Sequence, residues 1–327
     1  MGDPRGVGPE VIVKALHSRD LPADARLLIV GSMAVLRQAA DALGQELRAV
    51  RVAEADWAGA EPAVLDIDNF PAGELEPRRA DAPGGRASVE YIERAVGLVL
   101  GGRADALVTA PINKEAIGAA GSQFPGHTEM LAHLGGARRP VMMLTSARLR
   151  VALVTTHIAL RDVPCALRTE DIVATARVLA DGLRRFFGLG SPRIAVCGLN
   201  PHCGDGGRFG DEEARIVVPA IERAQSAGVD LRGPKPADTV FAQAQRGDYD
   251  AVLALYHDQG MIPVKMGGLA DVVDVTLGLP FIRTGVGHGT AYDIAGSGRA
   301  DEGSLVSAIR LAVQMAHAAR DGARRTA

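Results

Sequence analysis

Short apolar runs alternate with longer amphipathic stretches along most of the chain. The apolar runs have the length of buried strands, and the longer stretches carry apolar residues every three or four positions, as helices do. The predicted strands are residues 26–30, 106–109, 151–154, 193–196 and 250–255, and the predicted helices are residues 32–43, 88–100, 169–187, 211–227 and 302–320. Strands separated by helices of this length predict parallel β-α-β units, and therefore an α/β fold.

Turn and cap signals separate these elements. Residues 81–85 and 204–210 are rich in glycine and are predicted to be the clearest loops. Thr169 is predicted to cap the helix that begins there, because a hydroxyl can accept from the free N–H groups of a first turn. Two acids follow it directly, and negative charge in the first turn stabilises a helix.

Composition limits the class of protein. The 327 residues suffice for one large or two medium domains. Charged residues make up 23% and the net charge is −3, which argues against nucleic acid and anionic membranes as partners. No apolar stretch approaches the ~20 residues of a membrane span, and the N-terminus lacks a signal-peptide pattern, so a cytoplasmic location is expected. The cysteines are odd in number and without paired spacing, so we expect reduced thiols.

Each of three predicted strands is followed within a few residues by a histidine: His157, His202 and His257. The carboxyl ends of parallel strands open onto one crevice, and ligands bind there. Three imidazoles in one crevice would bind a divalent metal and leave coordination positions open. The alternative is three unrelated loop histidines. Because all three occur in the same strand-end context, the sequence favours a shared metal site.

Lysine is scarce in this chain, which raises the question of what the few lysines do. Lys265 follows the His257 segment and could bind a carboxylate or phosphate, or move a proton if its pKa is lowered. Its alternative is a solvated lysine at a strand end. Lys114 stands at a predicted helix start, where the helix dipole disfavours a cation. That position indicates either a specific role or a salt-bridged surface lysine.

Two segments are suited to binding an anion. His127 and Thr128 lie at the entry to a predicted helix, where free backbone N–H groups can meet a phosphate or carboxylate. The alternative there is a Thr128 helix cap beside an incidental histidine. Arg283 follows an apolar run, and its planar guanidinium suits bidentate binding of a phosphate or carboxylate.

The segment from His288 to Gly296 is a candidate dinucleotide loop. Gly289 would allow a ligand to approach the backbone closely, and Asp293 could accept hydrogen bonds from a ribose diol. A plain helix-capping role is the alternative for Asp293. The chain shows no Gly-x-Gly-x-x-Gly fingerprint after a strand, so a dinucleotide would have to bind by another loop design.

Taken together, these motifs resemble the 4-hydroxythreonine-4-phosphate dehydrogenase family of pyridoxal phosphate biosynthesis. The matching segments occur in the right order over nearly the whole chain: residues 2–10, 109–114, 126–129, 155–157, 199–202, 236–239, 256–260 and 276–296. The resemblance implies an α/β, two-domain fold like that of isocitrate and isopropylmalate dehydrogenases, with the active site in the interdomain cleft. The expected domains are residues 1–125 plus 297–327, and residues 126–296.

The resemblance also implies roles for individual residues. His157, His202 and His257 would bind a divalent metal (Zn, Mg, Mn or Co), one of them supplied across the interface of a homodimer with a shared active site. His127, Thr128, Lys265 and Arg283 would bind a phosphorylated hydroxy acid, with position 274 also in the substrate site. Gly289 and Asp293 would bind NAD or NADP, and Lys265 is the candidate for proton handling.

The chain departs from the family pattern at three places. The family begins with an apolar strand before Gly-Asp-Pro, whereas this chain starts at Met1, so a central strand is expected to be missing. Position 274, usually asparagine, is Asp274, an acceptor where an amide could also donate. Gly287 stands where the family carries an acid. This loss of an acid suggests a paralogue that acts on a different acid.

The expected function is metal-dependent, NAD(P)-linked oxidation, with decarboxylation, of 4-hydroxythreonine 4-phosphate or a close four-carbon hydroxy-acid 4-phosphate. Alternatives are D-threonate or D-erythronate 4-phosphate, or an aromatic dihydrodiol carboxylate, as substrate. Arg283 and the His127-Thr128 pair favour a phosphorylated substrate. More remote alternatives are a metal-dependent hydrolase and a non-catalytic metabolite-binding protein.

Overall fold

The computed structural model describes residues 1–53, 57, 59–70, 73, 75–76 and 78–326. The chain forms two compact units, and each contains residues from two parts of the sequence. Unit 1 comprises Met1–Arg138 and Leu279–Val313, and unit 2 comprises Arg139–Gly278 and Gln314–Ala327. The bounds of these units differ from those of the predicted domains, residues 1–125 plus 297–327 and residues 126–296. The predicted division into domains stays a prediction.

Unit 1 contains parallel strands and surrounding helices. One sheet has three strands in the order β1-β3-β2, and a parallel pair is formed by β4 and β11. The strands are β1 (Leu28–Gly31), β2 (Val50–Val52), β3 (Ala63–Asp66), β4 (Ala106–Thr109) and β11 (Ile282–Val286). The helices are α1 (Gly8–His17), α2 (Met33–Leu43), α3 (Ala82–Leu100), α4 (Lys114–Ala119), α5 (His127–Leu134) and the first part of α11 (Gly303–Thr326).

Unit 2 is built on six strands in the order β10-β5-β6-β9-β7-β8. These strands are β5 (Val141–Ser146), β6 (Leu149–Leu153), β7 (Ile194–Cys197), β8 (Leu231–Lys235), β9 (Ala251–Ala254) and β10 (Val273–Leu277). Its helices are α6 (Val163–Ala166), α7 (Thr169–Phe187), α8 (Val218–Ser226), α9 (Val240–Gln245) and α10 (His257–Lys265). The strands β6, β9, β7 and β8 are parallel, as predicted.

Parallel pairing does not extend to one side of this sheet, in strands that the sequence pattern did not predict. β5 pairs antiparallel with both β6 and β10. Only residues 147 and 148 separate β5 from β6, and so short a connection permits a hairpin but not the crossover that parallel strands need. The predicted α/β class is confirmed, with a mixed sheet.

Several helix bounds agree closely with the prediction, because local periodicity and caps determine them. α2 begins after Ser32, whose hydroxyl accepts from Val35 N at 3.3 Å. α7 spans Thr169–Phe187, the predicted range, but the predicted cap is wrong. Arg168 is the N-cap, and the Thr169 hydroxyl instead donates to the Ile216 carbonyl at 3.1 Å.

The predicted loop at residues 81–85 is wrong, since α3 already begins at Ala82. Asp81 is the N-cap and accepts from Gly84 N at 3.0 Å. Gly85 belongs in the helix because α3 lies directly against α4: a Cβ at Gly85 would stand 2.0 Å from the Ala116 carbonyl oxygen. Gly85 therefore serves helix packing rather than a turn.

Each unit has its own apolar core. In unit 1, Val11, Leu36 and Val64 belong to one cluster of buried residues. In unit 2, Leu153 and Val252 belong to another, in which strands β6 and β9 meet α10. No helix in the described part of the chain is both long and apolar enough to cross a membrane.

Candidate active site

The three strands that precede the candidate metal ligands lie side by side in unit 2. β6 pairs with β9, and β9 pairs with β7, all in parallel register. Beyond β6 the pairing continues, since Val154 N donates to the Ala254 carbonyl at 2.9 Å and Thr155 N to the Leu255 carbonyl at 3.2 Å. The segments that carry the histidines therefore leave the sheet at the same edge.

His157 and His257 meet at this edge. Their ring centroids are 5.7 Å apart and the ring planes are inclined by 44°. Nδ1 of His257 lies 2.7 Å from Oδ1 of Asp258. When Nδ1 carries the proton of that hydrogen bond, Nε2 keeps a lone pair that can bind a metal, which is the usual arrangement of a ligating histidine. The pair thus offers two nitrogen donors.

Gln259 and Gly260 explain how His257 is positioned. The Gln259 side chain accepts from Leu255 N at 2.7 Å and donates to the Gly198 carbonyl at 2.8 Å, so it joins the ends of β9 and β7. Gly260 lets α10 lie flat on the sheet, because a Cβ there would stand 2.7 Å from a Leu153 methyl group. The strand-end context in the sequence predicted the position of His257, but not the packing role of Gln259 and Gly260.

His202 lies in a left-handed segment. Residues 202–207 all have positive φ, including His202 at 53°, Cys203 at 58° and Asp205 at 46°. Left-handed conformation costs a non-glycine residue about 1–2 kcal/mol, so other contacts must hold the segment. No group of three His, Cys, Asp or Glu side chains that could hold a metal occurs within the described residues of this one chain. His202 therefore does not complete such a group with His157 and His257.

Glu213 holds the start of this segment and was missed by sequence reasoning. Its Oε1 accepts from Leu199 N at 2.8 Å and from Asn200 N at 2.7 Å. Its Oε2 accepts from Asn200 Nδ2 at 2.9 Å. The side chain is buried, so these bonds satisfy a carboxylate that would otherwise be costly to remove from water. The only sequence signal was an acid pair, Glu212-Glu213, shortly after the histidine motif.

Lys265 and Asp274 also lie in unit 2. The sequence reading of Lys265 as a strand-end residue is wrong, because the chain after His257 forms α10 and Lys265 is its last residue. Eight residues of α-helix rise about 12 Å, so the exposed ammonium is suited to contact a molecule bound beside His257 rather than the imidazole. Asp274 lies on β10, opposite Leu144 of β5, and is half-buried.

Arg283 is the main cation of the anion site in unit 1. It lies on β11, which pairs with β4, and only 3% of it is exposed. Its Nη2 donates to the Thr109 hydroxyl at 2.7 Å. A Cβ at residue 285 would stand 2.5 Å from this same nitrogen, so Gly285 provides the room for the guanidinium. Thr109 and Gly285 are site residues that the sequence analysis did not single out.

His127 begins α5, and its electrostatic environment includes Arg283. Burial, and secondarily the charge of Arg283, hold the pKa of His127 well below its usual value. Its Nε2 is buried and has no hydrogen-bond partner within the described part of the chain. Gly126 is the N-cap and offers no capping side chain, so Thr128 is an internal residue of the helix and not its cap. The first-turn N–H groups remain available to an anion.

The side chain of Lys114 approaches this helix start. A Cβ at Gly126 would lie 3.6 Å from Cε of Lys114. No ion pair of Lys114 occurs among the residues that the structure describes, so the salt-bridged alternative finds no support there. Lys114 thus adds positive potential close to the N-terminus of α5.

Gly289 and Asp293 both lie in the loop that joins β11 to α11. Both are exposed, and space is open where a Cβ of Gly289 would be. Nδ1 of His288 lies 2.9 Å from the Gly289 carbonyl oxygen. The loop is therefore accessible to a ligand along the stretch that the sequence analysis identified.

Comparisons with known proteins agree with this arrangement of motifs. The family of the pyridoxal phosphate biosynthetic protein PdxA matches residues 23–312. A 4-hydroxythreonine-4-phosphate dehydrogenase of Geobacter metallireducens is 47% identical over 98% of this chain and 96% of the relative. The chain therefore belongs to the PdxA family, and the suspected resemblance is confirmed.

Further relatives differ in their named substrates. A D-threonate 4-phosphate dehydrogenase of Salmonella typhimurium is 46% identical and covers 97% of both chains. The crystal structure of a 4-hydroxythreonine-4-phosphate dehydrogenase from Klebsiella pneumoniae has a TM-score of 0.89 and 42% identity, over 97% of this chain and 96% of that one. A terephthalate 1,2-cis-dihydrodiol dehydrogenase from Burkholderia xenovorans is more distant, with a TM-score of 0.65 and 29% identity over 96% of both chains.

Proposed function

We propose that this chain is a metal-dependent, NAD(P)-linked dehydrogenase of a four-carbon hydroxy-acid 4-phosphate. The substrate is 4-hydroxythreonine 4-phosphate or a close relative such as D-threonate or D-erythronate 4-phosphate, and oxidation is accompanied by decarboxylation. The observation that carries this proposal is the buried guanidinium of Arg283, bonded to Thr109 within the electrostatic reach of His127. Relatives of 46–47% identity that are named for 4-phosphate substrates support it.

The phosphate would be bound in unit 1. A buried guanidinium offers two parallel N–H donors to two phosphate oxygens, and the first-turn N–H groups of α5 offer further donors to an anion. Thr128 supplies a hydroxyl in the same turn, and the neutral imidazole of His127 can donate one hydrogen bond without adding charge. Lys265 and Asp274 are the proposed contacts for the remaining polar groups of the substrate.

The donor set in unit 2 fits a divalent metal. Two imidazoles that bind one zinc ion through nitrogens at about 2.1 Å place their ring centres roughly 5–6 Å apart, and the rings of His157 and His257 are 5.7 Å apart. Imidazole ligands suit Zn²⁺ or Co²⁺, whereas Mg²⁺ prefers oxygen ligands. When bound, such an ion polarises the substrate hydroxyl and stabilises negative charge on its oxygen.

A second copy of the chain would supply the third ligand. Large apolar side chains are exposed in the segments that follow the three histidines: Ile158 and Leu160, Phe209, and Ile262 and Met266. Exposed apolar residues concentrated in this way are typical of protein–protein interfaces. We propose a homodimer in which these residues are covered and His202 of the partner subunit completes the metal site.

Reaction roles follow from these positions. Gly289 and Asp293 would hold NAD(P), which would supply the hydride acceptor for the carbon that bears the hydroxyl. Lys265, whose amine lies on a flexible stem, is the proposed group that handles the hydroxyl proton, with a bound water as relay. Arg283 and the α5 N-terminus keep the phosphate end fixed and so align the reacting carbon.

The test is an absorbance assay for reduced nicotinamide. The protein is mixed with Zn²⁺ or Co²⁺, with NAD or NADP, and with D-threonate, D-erythronate or 4-hydroxythreonine 4-phosphate. We expect reduction with at least one of these acids and its loss in EDTA. Phosphate release without reduction would instead establish a hydrolase, and binding without either reaction would establish a metabolite-binding protein. Preference for an aromatic dihydrodiol carboxylate would overturn the phosphate assignment.

A further inference from the structure

The loop between β11 and α11 has an irregular backbone. Residues 288–300 contain neither helix nor strand, and most of residues 289–299 are exposed or half-buried. Ala291 has a φ of 43°, and Gly296 and Gly298 both have a φ of 75°. A segment of this kind orders only when contacts from elsewhere offset its conformational entropy.

The first half of the loop is tied to residues near the N-terminus. The Tyr292 hydroxyl donates to Oδ2 of Asp3 at 2.7 Å, and Asp3 is fully buried. The other oxygen of Asp3 accepts from Arg5 N at 2.9 Å, which fixes the carboxylate. Val7 N donates to the Thr290 carbonyl at 2.9 Å. The two residues that bind the first half of the loop, Asp3 and Val7, thus lie in the short segment before helix α1.

The second half of the loop is tied to α1 itself. Glu10, a buried residue, accepts from Gly296 N at 3.0 Å through Oε2 and from Ala300 N at 2.9 Å through Oε1. Nζ of Lys14, one turn further along α1, donates to the Gly298 carbonyl at 2.7 Å and the Ala300 carbonyl at 2.6 Å. One carboxylate and one ammonium therefore bind four backbone groups of the loop.

Asp293 lies between these two sets of ties. On one side, the neighbouring residue Tyr292 is held by its bond to Asp3. On the other side, the backbone of Gly296, three residues after Asp293, is held by Glu10. We infer that Tyr292 and Glu10 are positioning residues for the dinucleotide: they hold the 288–300 loop in the conformation that presents Gly289 and Asp293 to the cofactor. This inference rests on the proposed function, because it takes NAD(P) as the ligand of the loop.

Loosening the loop should affect dinucleotide binding selectively. A loop that is ordered before its ligand arrives loses little entropy on binding. Loosening the loop therefore lowers the affinity for the ligand that contacts it and leaves the affinity for other ligands unchanged. The substrate anion site depends on Arg283 and α5, which these ties do not include. Loss of a tie should therefore raise the dissociation constant of the dinucleotide while leaving anion binding unchanged.

The test variant is Tyr292→Phe, which removes one hydroxyl and keeps the ring. Tyr249→Phe, in unit 2, is the matched control. Isothermal titration of the metal-loaded protein with NAD and NADP should give a dissociation constant that is higher by about tenfold or more for Tyr292→Phe, as for one lost hydrogen bond to a charged group. Titration with inorganic phosphate should match the wild type.

Glu10→Gln gives an independent measurement at the other end of the loop. The amide keeps the size of the side chain but replaces one acceptor oxygen by a donor, so only one of the two loop N–H groups can be satisfied. Glu93→Gln, on the exposed face of α3, is its control. Hydrogen exchange should be faster at the amides of residues 293–299 in Glu10→Gln, and dinucleotide binding should weaken as in Tyr292→Phe.

Each outcome decides the inference. Unchanged dinucleotide affinity in both variants overturns it, and so does a parallel loss of dinucleotide affinity and phosphate affinity, which would show a general structural role. If the wild type binds neither NAD nor NADP, the proposed function fails first, and that result is visible before any variant is compared.

Discussion

His157 and His257, which are a hundred residues apart in sequence, place their ring centroids 5.7 Å from each other. They meet because β6 and β9 are parallel neighbours and their pairing continues past both strands to Thr155 and Leu255. The geometry suits two ligands of one metal ion, and it is the part of the proposed site that one chain forms by itself.

Replacing either histidine should remove metal and turnover together. We expect His157→Ala and His257→Ala to lose more than the ~10–100-fold in metal affinity that is typical for loss of a supporting residue, since here a ligand itself is lost. Metal content by mass spectrometry and turnover are measured on the same samples, with His17→Ala in unit 1 as control. If either variant keeps full activity while it lacks stoichiometric metal, the assignment of these histidines as ligands of a catalytic metal is wrong.

Arg283→Ala should act selectively on phosphorylated substrates. Truncation of one side of a buried charge pair costs about 2–5 kcal/mol, which corresponds to a thirtyfold to several-thousandfold loss at ~1.4 kcal/mol per decade. Arg283→Lys should also impair the enzyme, because an ammonium cannot reproduce the planar fork. The measurement is kcat/KM for the phosphorylated and unphosphorylated forms of one acid. An equal loss on both forms would show that Arg283 does not recognise the phosphate.

Gly285→Ala should weaken anion binding without unfolding the protein. The added methyl would stand 2.5 Å from Nη2 of Arg283 and 2.7 Å from the Thr109 hydroxyl, so the guanidinium must move. We expect a loss of phosphate affinity of about tenfold, as for one charge-assisted hydrogen bond. Gly97→Ala in α3 is the control, since no atom lies within 4 Å of its Cβ position. Equal phosphate affinity in the two variants would contradict the assignment of Gly285.

Stability should depend on pH through His127. Its folded-state pKa lies well below the usual value, chiefly because of burial, so the unfolded chain binds the proton more readily. The contribution of the neutral imidazole is complete above the unfolded-state pKa of about 6.5 and is lost as the pH falls from there toward the folded-state pKa. Urea unfolding at about pH 7.5 and about pH 5.5 should show a larger fall for the wild type than for His127→Gln. Parallel curves would count against a buried neutral His127.

The sequence alone determined what depends on neighbouring residues. Apolar periodicity identified α2 and α7 to within a residue, and it located the strands that precede all three candidate histidines. These features are local, because side-chain period and helix caps act over a few residues. The order of motifs along the chain also identified the family, which a match over residues 23–312 confirmed.

Only the tertiary structure decided which segments meet. The antiparallel pairing of β10 with β5, the helix at residues 82–85 and the left-handed run from His202 to Gly207 all depend on contacts with distant segments. The bond from Tyr292 to Asp3 joins residues 289 positions apart. The local sequence shows which side chains are polar and where a glycine allows unusual backbone angles. The partner of each polar group is determined only by the fold, because a buried group can bond only to the groups that packing brings within reach.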